Sequence, residues 1–336
     1  MPRAPRVIHD QHLYEVVPRA REGLPLPPTE TTNQLLSGIL ARTQRDQKVT
    51  LCNFVEMNNH AHQHVIPNNP EQHTRFYMEY QKKVTDTVRK LMKRKQLSLW
   101  ERRPSVILLA ELEDAIKRLI YMFLNPVRAG LVVTIDHYPG LTTWNAFKTC
   151  EASVSAQVVI KAKWTPVSAL EPLPAANRLS AANDRAMAKR LGEAEETVEY
   201  DLVVEPLKWL QTYGITDPAE IEAIRQRIIS AVYAEEAAIA KERREEGQGV
   251  IGAERLKHQE YMASHSPKAK ERRIFVICGN DETRPRIISA FQEIFAKCRQ
   301  CYEALKKGLP HQWPPGTFIP WLPPKECRPG FNAGFC

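Results

Sequence analysis

Two rhythms of apolar residues alternate through the first 150 positions. Leu13-Tyr14-Glu15-Val16-Val17 and Val49-Thr50-Leu51-Cys52-Asn53-Phe54-Val55 are short β-rich runs. His60 to Ile66 follows the second across Asn58-Asn59, a pair suited to a tight turn, so a hairpin is predicted. Between the two runs, Leu35, Leu36, Ile39 and Leu40 recur at helical spacing after the start signal Thr29-Glu30-Thr31. A polar, basic helix is predicted from Glu71 to Lys95, and an apolar run follows from Val106 to Leu109. Leu112 to Leu124 reads as another helix and Leu131-Val132-Val133-Thr134-Ile135 as a last strand. The order β-α-β-β-α-β with one extra helix predicts an α+β, ferredoxin-like antiparallel sheet with helices on one face.

The rhythm fades over residues 151–180, where Pro166, Pro172 and Pro174 stand among Ala and Ser, and a linker is expected there. Residues 1–150 would then be the principal domain and 181–336 a mainly helical accessory region. In that region Asp217-Pro218 starts a helix running to about Glu246. Arg273 to Cys278 suggests a buried strand, Arg284 to Lys307 a further helix, and the proline-rich tail an extended wrap.

Projection of residues 112–125 at 100° per residue puts Leu112, Ile116, Leu119, Ile120 and Phe123 on one side. Tyr121 lies nearly opposite, beside Asp114, Arg118 and Asn125, which favours an exposed phenol. Proline pushes the residue before it out of helical geometry, so Asn125, preceding Pro126, is expected at the helix terminus. On an extended strand His60 and His62 share a face about 6–7 Å apart, close enough to hold one metal ion, and His64 continues the alternation. Three ring nitrogens would suit zinc, whereas two imidazoles, an amide oxygen and a substrate phosphate suit Mg²⁺ or Mn²⁺. A half-exposed polar strand and a surface tyrosine are the plainer alternatives. No general base for the phenol stands out.

Charge sharpens this picture. The chain has 336 residues, and 47 Lys+Arg against 39 Asp+Glu give a formal charge of +8. That balance favours a nucleic-acid partner over a membrane. No apolar run is long enough for a membrane span, and seven scattered cysteines do not form a disulfide framework, so a cytoplasmic, nucleoid-associated protein is expected. Lys82, Lys83, Arg89, Lys90, Lys93, Arg94, Arg102 and Arg103, with Arg118 and Arg128 beside the tyrosine, are candidate phosphate contacts. A second cluster, Lys268, Lys270, Arg272, Arg273, Arg284 and Arg286, would grip flanking duplex or simply be solvated. Cys298-x-x-Cys301 with Cys327 and Cys336 is a weak zinc signal.

Asn59-His60-Ala61-His62, Leu99-Trp100-Glu101-Arg102-Arg103, Tyr121 to Gly130 and His137-Tyr138-Pro139-Gly140 together resemble the REP-associated tyrosine transposases. These are single-tyrosine members of the HUH class (His-hydrophobic-His). The resemblance implies a DNA strand transferase acting on single-stranded or hairpin DNA, as monomer or homodimer. It makes Tyr121 the nucleophile, His60, His62 and Asn125 the metal ligands, and a 5′-phosphotyrosine the intermediate. The chain departs from the family at Asn58, where proline is usual, and at Gln63 and His64, where the strand is usually apolar. A catalytically inactive DNA-binding protein of the same fold is the rival expectation. A histidine-metal hydrolase that does not need Tyr121 is a third.

Overall fold

The computed structural model describes residues 7–21, 23–101, 103–174, 176–264 and 274–317. Arg102, Lys268, Lys270, Arg272, Arg273, Cys327, Cys336 and the prolines beyond Thr317 lie outside them. Along the chain run β1 (Tyr14–Val17), α1 (Glu30–Gln47), β2 (Thr50–Glu56), β3 (Ala61–Ile66), α2 (Pro70–Leu91), β4 (Ser105–Leu109) and α3 (Leu112–Arg128). They are followed by α4 (Trp144–Thr149), β5 (Val158–Trp164), α5 (Ala181–Glu193), β6 (Val198–Val204), α6 (Pro218–Glu245), α7 (Ala253–Lys257), β7 (Val276–Ile277) and α8 (Thr283–Lys306). Among the described residues, no helix is long and apolar enough to cross a membrane.

All the strands join one 7-stranded sheet in the order β5-β6-β2-β3-β1-β4-β7. The sheet is mixed rather than wholly antiparallel, because β6 runs parallel to β2 and β7 parallel to β4. Helices cover both faces, not one. Tyr14, Val16, Phe54 and Leu108 turn toward α1 and α2, where Leu36, Leu40, Phe76, Tyr80 and Val84 complete one core. Leu13, Val55, Ile107 and Leu109 turn the other way, toward Leu119 and Phe123 of α3, Trp144 of α4 and Ile228 of α6. Strands apolar on both sides require cover on both sides.

Three expectations change here. Residues 158–164, within the stretch read as a linker, form edge strand β5, paired along its length with β6. Its polar alternation hid it: Ala162 is buried under α1 while Lys161 on the open face pairs with Asp201. Gly38 lets α1 press this close, since a Cβ there would lie 2.3 Å from the Lys163 carbonyl oxygen. The predicted strand 131–135 does not form, and β4 takes its place in the sheet. Glu236 of α6 claims its polar groups instead, accepting from the Ile135 amide (2.7 Å) and the Thr134 hydroxyl (2.8 Å), and a 3-10 turn results.

Finally, α3 runs through Pro126 to Arg128. Its real stop is Gly130, at φ +68°. The Gly130 amide donates to the Val127 carbonyl and the Leu131 amide to the Pro126 carbonyl, the paired bonds of a Schellman cap.

Glu56, at the end of β2, is buried and accepts from Gln63 Nε2 (2.6 Å) and the Tyr80 hydroxyl (2.9 Å). Burial outweighs those bonds and pushes its carboxyl up to about 7 from 4.5. A raised carboxyl binds its proton more tightly in the folded state, so the stabilisation is complete below pH 4.5 and is lost as pH rises through 7. Denaturation midpoints should therefore fall between pH 5 and 8 by the equivalent of roughly 3 kcal/mol. Glu56→Gln should flatten that dependence; an unchanged slope in the variant would contradict it.

Candidate functional site

Tyr121, Asn125, His60 and His62 converge where α3 crosses β3. His62 is buried on the strand face toward α3, and its ring lies 5.1 Å from that of His60 and 5.9 Å from that of Tyr121, centroid to centroid. Asn125 sits one helical turn beyond Tyr121, with its amide nitrogen 2.6 Å from His62 Nε2. Tyr121 is 36% exposed, as its place opposite the apolar stripe requires. A phenol open to solvent thus stands beside a buried imidazole.

Glu15 organises the group, and sequence reasoning passed it over. It is fully buried on β1, with Oε1 2.7 Å from His62 Nδ1 and Oε2 paired with Arg118 Nε. Burial alone would raise its carboxyl, but the hydrogen bond from His62 and the charge of Arg118 hold it down at about 2. A carboxylate only accepts, so His62 Nδ1 must carry the proton that donates to it. His62 Nε2 is then an acceptor and takes an N–H from Asn125. The sequence signal was a lone acid in a strand whose four residues are all buried.

The guanidinium of Arg118 lies 4.5 Å from the Tyr121 ring centre and that of Arg128 lies 5.6 Å away. Both stack on the phenol within cation–π range. Arg128 also pairs with Glu235 of α6. His60 Nδ1 bonds Asn59 Oδ1 at 2.7 Å. His64 is fully buried opposite Glu15 in the strand register, and among the described residues neither ring nitrogen has a hydrogen-bond partner. Burial lowers its imidazole to about 4, so it is neutral.

The basic candidates on and after α2 fall elsewhere. Lys82, Lys83, Arg89 and Lys90 are on α2, and Lys93 and Arg94 follow it, in the layer across the sheet from α3. Lys83 pairs with Glu79 and Arg89 with Asp86. Arg103 is exposed just before β4, at the end of the sheet where Arg19 bridges His60.

A second group that could hold a cation, Glu111, Asp114 and Cys278, has its ligand atoms within 4.8 Å of one another. It lies at the other end of α3, about 16 Å from Asn125 by helical rise. Asp114 already accepts from the Gly279 amide at 2.5 Å, and acids at a helix N-terminus are favoured by its dipole. Cys298 and Cys301 are buried on α8, where Cys301 Sγ donates to the Gln312 carbonyl at 3.1 Å.

No protein-family model matches the chain, and no curated protein matches it. Among solved structures it is similar to one described as a REP-associated tyrosine transposase bound to a REP hairpin. Identity is 18%, over 44% of this chain and 84% of that one, with a TM-score of 0.38. At that distance the chemistry has to be read from the side chains themselves.

Proposed function

We propose that this protein is a single-tyrosine DNA strand transferase of the HUH type, nicking and rejoining single-stranded or hairpin DNA. The observation that carries the reading is the convergence of Tyr121 with His60, His62 and Asn125 from two separate elements. The central strands β2-β3-β1-β4 add support, since they are mutually antiparallel in the order of a ferredoxin-like βαββαβ unit.

The donor set fits Mg²⁺ or Mn²⁺. His60 Nε2 and His62 Nε2 would supply nitrogen, and the Asn125 side chain would supply oxygen with its amide turned over to present Oδ1. Bound there, the cation would polarise the scissile phosphate and offset its developing charge. Tyr121 Oη attacks phosphorus, the Oη–P bond forms and the P–O3′ bond breaks. The phenolic proton ends on the departing 3′ oxygen, leaving a 5′-phosphotyrosine and a free 3′-hydroxyl. Arg118 and Arg128, stacked on the Tyr121 ring, would offset phosphate charge. One ester replaces another, so attack by a 3′-hydroxyl reverses the step and no nucleotide cofactor is required.

The test is incubation of the protein with an end-labelled DNA hairpin carrying a single-stranded tail, in Mn²⁺, followed by denaturing electrophoresis. A labelled adduct that survives detergent and disappears with protease is expected. Nicks without an adduct would point to a hydrolase, and binding without nicks to an inactive relative.

Glu15 has a measurable part in this scheme. Carboxylates that orient a ligating histidine are worth about 10–100-fold in metal affinity. Glu15→Gln should weaken Mn²⁺ binding by about that factor, read by electron paramagnetic resonance, with far-UV circular dichroism unchanged. Wild-type Mn²⁺ affinity in the variant would remove Glu15 from the scheme.

A further inference from the structure

Across the sheet from Tyr121, the end of α2 forms a basic cavity of about 270 Å³ lined by Arg89, Lys90, Lys93, Arg94, Val167 and Pro172. Four cations border one concavity. Arg89 is paired with Asp86, whereas among the described residues Lys90, Lys93 and Arg94 make no ion pair.

The backbone adds an independent observation. Helix α2 ends in a Schellman cap: the Lys93 amide donates to the Lys90 carbonyl (3.1 Å) and the Arg94 amide to the Arg89 carbonyl (3.0 Å). The residue in the left-handed position of that cap is Lys93, at φ +52°. Glycine is the usual occupant because a Cβ is disfavoured there. Here the chain sets a long cation at a position where glycine would fold more easily. Gly130 fills the equivalent place in α3 and Lys48 is left-handed at the end of α1, so such a cap tolerates lysine without demanding it.

Lys82 and Arg89, both within α2, also fall on one helical face about 10 Å apart along the axis, and Lys93 follows the helix end. That separation fits neighbouring backbone phosphates rather than one small anion.

We propose that the cavity closing α2, with Lys93 at its rim and Lys90 and Arg94 beside it, is a phosphate-binding site for a nucleic-acid segment held away from the tyrosine face. This takes the nucleic-acid substrate of the preceding reading as its premise but uses none of the tyrosine chemistry. A strand or stem held there would be gripped independently of cleavage, which lets the protein keep hold of DNA whose nicked end has left Tyr121. A positively charged cavity takes phosphodiesters through charge and not through base identity, so the site contributes affinity without sequence choice.

The experiment measures binding of a fluorescein-labelled DNA hairpin with a single-stranded tail, by anisotropy over a range of salt, without divalent metal. Lys93→Gly should melt at the same or a higher temperature than wild type. It should bind about three- to tenfold more weakly, with a salt slope smaller by about 1. Lys90→Gln combined with Arg94→Gln, which leaves the cap backbone alone, should weaken binding further. Unchanged affinity and slope in both variants would overturn the proposal while leaving the tyrosine reading intact. Wild-type protein that does not bind the hairpin would overturn both. Binding to phosphatidylserine vesicles that is lost in both variants, with hairpin affinity unchanged, would assign the cavity to a membrane surface instead.

Discussion

Tyr121→Phe is expected to abolish the covalent protein–DNA adduct and to lower single-turnover nicking by at least about 10³-fold, since no other group replaces a deleted nucleophile. The substitution removes one oxygen and keeps the ring. The ring contacts with Arg118, Arg128 and His62 therefore survive, and neither the melting temperature nor hairpin affinity should shift appreciably. That separation makes the variant informative. Loss of adduct with intact binding identifies the phenol as the attacking group. Nicking at the wild-type rate would move the nucleophile to water or to another side chain, and the strand-transferase reading would fall with it.

His62→Ala carries the second large effect, for a different reason. The imidazole is the junction between Glu15 on one nitrogen and Asn125 on the other. Its removal takes away a metal ligand and leaves both partners facing a gap. Metal-dependent nicking should fall by about 10²–10⁴-fold, the scale on which an electrostatic stabiliser of a reacting phosphate is felt. Stability should drop by about 1–3 kcal/mol from the polar groups left without partners. His62→Gln, which keeps a polar group in the same space, should recover much of the stability but little of the activity. Full activity in a folded His62 variant, at any Mn²⁺ concentration, would contradict the ligand assignment.

How far the sequence reveals this site depends on how local each signal is. The 3.6-residue recurrence of Ile116, Leu119 and Phe123 is local, and it turned Tyr121 outward correctly. The alternation of His60 and His62 is equally local, and the strand keeps both on one face toward α3. The end of α3 was misplaced because Pro126 is a strong local stop signal. Pro126 forgoes one intrahelical hydrogen bond without ending the helix, and Gly130 with its paired amides does the stopping.

Non-local partners explain the rest. Nothing near Val132 and Val133 announces that Glu236, 101 residues beyond Ile135, will bind the Ile135 amide and so prevent a strand. The strand β5 was hidden because an edge strand carries lysines on its open face and reads as polar linker. Glu15 acquires its role only from His62 and Arg118, which stand 47 and 103 residues away. The split of the basic residues between two layers of the fold is likewise invisible in a one-dimensional charge run.

The most direct measurement is anomalous diffraction from crystals of the protein grown with Mn²⁺. A single strong peak is expected about 2.0–2.2 Å from His60 Nε2, His62 Nε2 and Asn125 Oδ1, with the Asn125 amide turned over. A peak at Glu111, Asp114 and Cys278 with none between the histidines, or an Asn125 amide nitrogen still against His62 Nε2 in saturating Mn²⁺, would contradict it.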